Sequence, residues 1–484
     1  MYFSPLQAVA ADPVPLIVDL DGTLTPADVT IESLLRVIRR HFLALFSVVG
    51  WLLQGRSVAK ALAARYAPPD ASALPLNPGV VALIQAARAE GRPIILATAS
   101  HQRIATRIAA ATGLFDIAIG SLGRRQVKGT GKLAALRTVI GPGPFDYIGD
   151  SPADMPLWRA ARTAYSCRYS ASGLAVVPVD DVVRRNARAV IRALRPHQWA
   201  KNILVFVPVA TAGLLLNAEA MLHATLAAGL FSLVASGIYQ INDLLDIDAD
   251  RAHAKKRNRP IAAGSLPIVH ALLLAGLLIS LAFALAVVVL SPIFAGVLLL
   301  YLTITTAYSI RLKAVMTLDV ITLGCLYTLR IVAGAVAANV VVSSWLLLFS
   351  IFFFLSLGYL KRFIELRGAP DPKRLLDGRG YIGGDLPVVA MAGIAAGMVS
   401  ILVMALFITD QKATGVYASP LALWGLLLCL LYWINRVWIM AHRGQIDSDP
   451  VAFAVRDGRS IAVAILAAAI MMVARSVSIP GLTL

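Results

Sequence analysis

Residues 241–264 read INDLLDIDADRAHAKKRNRPIAAG: four aspartates crowd into the first ten positions, five basic residues follow, and long apolar runs lie on either side. The surroundings give the fold class. Of 484 residues, 58% are hydrophobic and only 15% charged, and the mean hydropathy is +0.75. A soluble chain could hardly carry so much apolar surface, so most of this one belongs in a bilayer. From Asn202 onward nine apolar segments, near 203–216, 221–241, 268–290, 292–308, 316–340, 344–360, 386–409, 419–440 and 461–477, approach the roughly 20 residues that cross the hydrocarbon. The loops after the second, fourth, sixth and eighth segments hold Lys255, Lys256, Arg257, Arg311, Lys313, Lys361, Arg362, Lys373, Arg374, Arg443 and Arg459, whereas the opposite loops show only Lys412, with Arg475 near the far end of the last span. This asymmetry predicts a multi-pass protein of the inner (cytoplasmic) cell membrane, with its amino end in the cytoplasm and its carboxyl end across the membrane. The start, MYFSPLQAVAADPVPLIVDLDGT, has neither the basic head nor the long apolar stretch of a signal peptide.

The formal charge is +17, but the basic residues sit in short blocks between apolar spans, without the aromatic interleaving of a nucleic-acid surface. Nucleic acid is thereby excluded as a partner, and anionic lipid heads or a phosphorylated substrate account for the excess. Cys167, Cys325 and Cys429 have no metal-ligand spacing and suggest no disulfide framework.

Within the opening stretch, Asn242, Asp243, Asp246 and Asp250 follow the spacing N-D-x-x-D-x-x-x-D. On a helix, positions three and four apart share a face, so the carboxylates converge and repel unless a cation sits among them. Mg2+ suits such a group, because it accepts carboxylate oxygens while keeping sites for water and a diphosphate. Lys256, Arg257 and Arg259 would then hold phosphate oxygens by charge-assisted bonds. A solvated loop obeying the positive-inside rule explains the basic half of the stretch but not four acidic groups beside the membrane.

Asn242 to Asp250 resemble the first aspartate-rich motif of the UbiA-type intramembrane prenyltransferases, whose fold is nine helices around a central cavity. Within that superfamily RPHQWAKNILVFVPV from Arg195, DRAHAKKRNRPIAAG, YSIRLK from Tyr308, LRIVAGA from Leu329 and YLKRFIEL from Tyr359 look most like the decaprenyl-phosphate phosphoribosyltransferases, over about residues 190 to 484. The second aspartate-rich motif of the aromatic prenyltransferases is missing, with only Asp319 near its place. That weighs against the alternative, an aromatic prenyltransferase of quinone biosynthesis. The resemblance implies Mg2+-dependent transfer of 5-phosphoribose from phosphoribosyl pyrophosphate to a polyprenyl phosphate. It makes Asp243 and Asp246 catalytic, adds Asp250 as a third metal ligand, and gives substrate contacts to Lys201, Asn242, Lys256, Arg257, Arg259, Lys313, Arg330, Lys361 and Arg362. Arg330 lies inside an apolar span, where an unpaired charge is costly; it either faces the cavity or forms an ion pair, for which Asp319 is a candidate. Lys361 and Arg362 close the sixth span and would also be explained by snorkelling.

The chain ahead of the membrane part is patterned as soluble α/β. Residues 1–165 alternate short apolar strands (PLIVDL, RPIILAT, FDYIGD) with helical stretches; 166–200 form a basic linker with an interfacial helix, and 201–484 the membrane domain. Asp19 and Asp21 follow the first strand, at the carboxyl end where open α/β sheets build sites. Thr98, Lys132 in KGTGK, and Asp150 with Asp154 in GDSPADM come after them. In this order the residues resemble the haloacid dehalogenase superfamily of phosphatases, whose domain is Rossmann-type with a helical cap, here about residues 24–90. The resemblance makes Asp19 the nucleophile, Asp21 the acid and base, and Thr98 and Lys132 the phosphoryl holders. Mg2+ would be bound by Asp19, Asp150 and Asp21, the last through its backbone carbonyl. The phosphatase would remove the 5-phosphate of the lipid-linked product. Inside the cap, RVIRRHFLALFSVVGWLLQGR carries an apolar run too short to span, which predicts a helix resting in the membrane interface.

Overall fold

The computed structural model describes residues 13–40, 43–122, 127–168, 173–368, 371, 373, 375–376, 378–410, 417–446 and 450–477. Arg374 and Lys412 lie outside the described residues. The chain divides into two compact units, Met1–Leu194 with Tyr239–Ala275, and Arg195–Ile238 with Gly276–Leu484.

In the first unit, β1 (Leu16–Val18), β2 (Ile94–His101), β3 (Ile117–Ser121), β4 (Asp146–Gly149), β5 (Thr163–Ser166) and β6 (Val176–Pro178) form one parallel sheet in the order β3-β2-β1-β4-β5-β6. The strands are short and apolar because both faces are covered. Alternate residues of β1 go to opposite sides. Leu16 and Val18 join a core with Val80 and Ile84 of α4 (Pro78–Ala89) and with Ile104 and Ile108 of α5 (Gln102–Thr112). Ile17 joins Leu136 of α6 (Thr130–Ile140) and Trp158 of α7 (Met155–Ala160). From β1 the chain builds outwards through β2 to β3, then returns to lay β4 on the other side of β1, so the order reverses between β1 and β4, where open α/β sheets form their sites.

Three cap helices enter between β1 and α4: α1 (Val29–Arg40), α2 (Ala44–Leu53) and α3 (Arg56–Tyr66). On α2 only Val48 is buried, while Phe46 and Leu53 are 71% and 84% exposed. The same unit includes α8 (Ala187–Leu194), the last turns of α10 (Ala218–Leu245), a turn at Asp246, and α11 (Ile247–Ala252). The aspartate cluster thus straddles a helix break. The backbone nearly continues through it, since Asp246 N donates to Asn242 O at 2.9 Å and Asp250 N to Asp246 O at 2.8 Å.

Eight helices among the described residues are long and apolar enough to cross a membrane: Ala218–Leu245, Ile268–Leu290, Pro292–Ile310, Leu318–Ala337, Ser344–Arg367, Gly383–Ile408, Pro420–His442 and Gly458–Ser476. The ninth expected segment, near 203–216, takes another form. It is a run of 3-10 turns, Pro196–Phe206, continued by α9 (Val207–Thr211). Pro196 and Pro208 withdraw two backbone donors, and Gly213 turns the chain at φ +68°. A side chain at Gly213 would meet the Arg475 guanidinium at 2.1 Å. Arg475 caps α9 by donating to Thr211 O at 2.8 Å and Ala212 O at 2.7 Å. Because a 3-10 turn rises more per residue than an α turn, the stretch from Pro196 to Thr211 has a reach of about 30 Å.

In the second unit α14 (Leu318–Ala337) is the innermost helix, with 72% of its apolar window buried against 11% for Gly458–Ser476. Small residues let its neighbours approach closely. A side chain at Gly334 would strike Val205 O at 1.9 Å, so the 3-10 run lies directly on α14.

Candidate active sites

The carboxyl ends of β1, β2 and β4 bring the front-domain residues together. Asp19 follows β1, Thr98 lies within β2, Asp150 follows β4, and Lys132 reaches in from α6. Lys132 Nζ lies 2.9 Å from Asp19 Oδ1 and 3.4 Å from Asp154 Oδ1, and it donates to Tyr147 Oη at 3.0 Å. Gly22 must be glycine here, at φ +82°, since a side chain would meet Asp150 Oδ2 at 2.2 Å.

Asp21 takes its hydrogen bonds from residues outside this group. Its Oδ1 accepts from Val29 N at 2.8 Å, at the start of α1, and its Oδ2 from Ser100 Oγ at 2.7 Å. Burial and, next, the neighbouring Asp28 push its carboxyl up to about 8, so it holds a proton at neutral pH. Burial and the carboxylates of Asp19 and Asp154 push Asp150 up to about 7. Burial also raises Asp19, against the pull of Lys132. Burial alone would lower Lys132, but Asp19 and Asp154 hold it above its ordinary value.

Asp19, Asp150 and Asp154 each bring a carboxylate oxygen within 4.8 Å of the others, the one such acidic group of three among the described residues. Hard oxygens with a net negative charge fit a divalent cation. Asp154 is already engaged. Its Oδ1 accepts from Tyr147 Oη at 2.6 Å, and its Oδ2 from the backbone of Asp150 and Ser151 at 3.2 Å each. Asp19 and Asp150 are therefore the better-placed ligands, with Asp154 orienting Lys132 and the β4 loop. Spacing marks no role for Ser100 or Tyr147, whose partners Asp21 and Asp154 are supplied by the fold.

The second acidic group belongs to the same unit. Asp243 and Asp250 are both buried, and Arg259 Nη1 donates to both, 3.1 Å from Asp243 Oδ1 and 2.7 Å from Asp250 Oδ2. Burial raises the Asp250 carboxyl and Arg259 pulls it back. Asp246 and Asn242 are half-buried, while Lys256 and Arg257 are exposed on the 3-10 turn Lys256–Asn258. The donor set fits Mg2+ in charge and hardness, and Arg259 already shows that Asp243 and Asp250 can share one cation.

Asp248 points elsewhere. It pairs with Arg36 and, at 2.9 Å, with Arg39, both on α1. One turn earlier on α1, Glu32 receives two bonds from Arg251, Nη1 to Oε2 at 2.9 Å and Nη2 to Oε1 at 2.5 Å. Both side chains are almost fully buried, at 1% and 3% exposure.

The remaining sequence-derived candidates lie in the second unit. Arg330 is buried and donates to Asn202 Oδ1 at 3.0 Å, Tyr301 Oη at 3.1 Å and Leu326 O at 2.6 Å. Asp319 is not its partner. Asp319 lies 2.6 Å from Arg362 Nη2, both fully buried, and accepts from Tyr381 Oη at 2.8 Å. Lys201 sits 5.7 Å over the Tyr327 ring. Lys313 and Lys361 are half-buried.

Comparison with known proteins gives a family match for each part of the chain. Residues 205–454 match the UbiA prenyltransferase family, and residues 16–159 match the haloacid dehalogenase-like hydrolases. The uncharacterized protein y4nM of Sinorhizobium fredii is 36% identical over 470 residues, which is 95% of this chain and 91% of that one. The nodulation protein NoeC of Azorhizobium caulinodans is 38% identical over 276 residues, 56% of this chain and 87% of NoeC. The decaprenyl-phosphate phosphoribosyltransferase of Mycolicibacterium smegmatis is 40% identical over 185 residues, 37% of this chain and 57% of that protein. From the membrane helices, the aspartate segment and these matches together, the chain belongs to the UbiA prenyltransferase family and carries a haloacid dehalogenase-like domain at its amino end.

Proposed function

We propose that the protein transfers 5-phosphoribose from phosphoribosyl pyrophosphate to a polyprenyl phosphate and then removes the 5-phosphate from the lipid-linked sugar. The observation that carries this reading is the presence, in one compact unit, of a buried aspartate segment suited to a metal-bound diphosphate and a full set of phosphatase residues. The kinship with decaprenyl-phosphate phosphoribosyltransferase over 185 residues supports the choice of donor and acceptor.

In the transfer, an oxygen of the lipid phosphate attacks the anomeric carbon as the bond to pyrophosphate breaks, and pyrophosphate leaves. Mg2+ held by Asp243, Asp246 and Asp250 would neutralise the departing diphosphate. Arg259, Lys256 and Arg257 bind its outer oxygens once Arg259 swings from the carboxylates. The lipid phosphate is already anionic, so no strong base is needed. Asp319, sealed in its pair with Arg362, supports a site with a single aspartate-rich motif and speaks against an aromatic acceptor.

In the hydrolysis, Asp19 attacks phosphorus, the ester oxygen leaves with the proton of Asp21, and Asp21 then takes a proton from the water that releases phosphate. Thr98 and Lys132 hold the phosphoryl oxygens. The exposed apolar face of α2 supports seating the cap in the membrane interface, where a lipid-linked substrate is presented.

Membranes containing the protein, given labelled phosphoribosyl pyrophosphate and polyprenyl phosphate, should form a lipid-linked ribose without 5-phosphate. Asp243→Asn should form none. Equal labelling by Asp243→Asn would overturn the transferase assignment.

A further inference from the structure

We propose that Glu32 of α1 is a positioning residue for the aspartate segment. It clamps Arg251 and so fixes α11, which carries Asp250. This rests on the reading of Asp243, Asp246 and Asp250 as a metal–diphosphate site, but it concerns a residue from the opposite end of the sequence.

Four observations converge on α1. The Glu32–Arg251 pair is bidentate, and both partners are almost completely buried. The third guanidinium donor, Arg251 Nε, binds Ala262 O at 3.0 Å, so one side chain ties α1 to both limbs of the segment. Arg36 and Arg39 hold Asp248, the acidic residue outside the N-D-x-x-D-x-x-x-D spacing. Ile31 and Leu35 pack with Leu244, Ile247, Ile261 and Leu266. A helix bound this way on its charged and apolar faces has one register on its partner.

Two charges buried together are costly unless their geometry is satisfied, and removing one strands the other. Such a pair specifies position more than it adds stability. Asp250 adjoins Arg251, so a shift of α11 moves Asp250 against Asp243 and spoils a cation site that needs both. At its amino end α1 also donates Val29 N to Asp21. The same helix therefore borders the catalytic acid of the phosphatase-type site.

The test uses the full chain carrying Asp150→Asn, which removes the phosphatase metal ligand, so that Mn2+ titration reports the aspartate segment alone. Glu32→Gln should weaken Mn2+ binding at least tenfold and raise the Mg2+ concentration for half-maximal sugar transfer by a similar factor, with kcat at saturating metal within about twofold. Hydrogen exchange of amides 247–252 should quicken. The double variant Glu32→Gln with Arg251→Gln removes the stranded charge without restoring the clamp, so it should regain stability while Mn2+ binding stays weakened; recovered affinity would assign the effect to the stranded charge and overturn the proposal. If Glu32→Gln destabilises the protein too far to purify, Arg36→Ala with Arg39→Ala, which releases the partly exposed Asp248, should shift the midpoint in the same direction. Unchanged Mn2+ affinity and exchange in a folded variant would overturn the proposal. Absence of Mn2+ binding in the parent would instead overturn the metal–diphosphate reading, and the two failures are distinct.

Discussion

Arg259 Nη1 lies 2.7 Å from Asp250 Oδ2 and bridges on to Asp243 Oδ1 at 3.1 Å, so one guanidinium offsets part of the charge of two buried carboxylates. Arg259→Gln removes that offset. The variant should lose roughly 3 kcal/mol of stability in EDTA, regain much of it when Mg2+ is added, and transfer sugar at least about 100-fold more slowly. Thermal unfolding with and without Mg2+, beside a transfer assay, checks this. Equal unfolding temperatures for wild type and variant in EDTA would show that the bridge carries no weight.

Asp19→Asn should leave sugar transfer intact while the lipid-linked 5-phosphoribose accumulates. The amide keeps the shape of the site but cannot attack phosphorus. If wild type and variant yield the same phosphorylated lipid in equal amount, the phosphatase-type domain serves another substrate.

Asp21, raised to about 8 by burial and then by Asp28, is protonated below that pH and loses its proton above it. A leaving alkoxide needs that proton, so hydrolysis of an alkyl phosphate should fall about tenfold per pH unit beyond roughly pH 8. An aryl phosphate, whose leaving group needs little help, should show no such decline. Parallel profiles for the two substrates would remove Asp21 from the acid role.

On the proposed reading the phosphatase-type domain and the aspartate segment face the same, cytoplasmic side, with α10 crossing once between them. The stretch 195–217 then carries the chain to the far side, and the reach of Pro196–Thr211, about 30 Å, is enough. Tags at the amino end and after Leu484 should report opposite sides, with the amino end cytoplasmic. Both tags on one side would mean that the 3-10 run enters and returns.

Phe46→Asp with Leu53→Asp puts charge on the exposed face of α2. If that face rests among lipid headgroups, KM for a lipid-linked phosphomonoester should rise at least about fivefold, while KM for a soluble aryl phosphate stays unchanged. Equal changes for both substrates would point to cap folding instead.

The two family resemblances and eight of the nine expected crossings were legible because each depends on near neighbours. Strand-length apolar runs placed Asp19 and Asp150 at strand ends, whereas Thr98 lies inside β2, which runs on to His101; 20-residue windows marked the long helices. The segment near 203–216 was misjudged in form, since hydropathy does not register how Pro196, Pro208 and Gly213 divide a helix. Arg330 was expected to face a cavity or Asp319. In the structure Asn202 and Tyr301, 128 and 29 positions away, satisfy it.

By itself the sequence determined the membrane class, the parallel α/β domain and the two acidic motifs, because periodicity and spacing act over one or two turns. Only the tertiary structure decided how the four clustered aspartates divide their work. Asp243 and Asp250 turn to Arg259, while Asp248 turns to Arg36 and Arg39. It alone joined Glu32 to Arg251 across 219 positions. Spacing shows which side chains share a helix face, but a buried charge takes its partner from whatever the packed chain brings within hydrogen-bond reach.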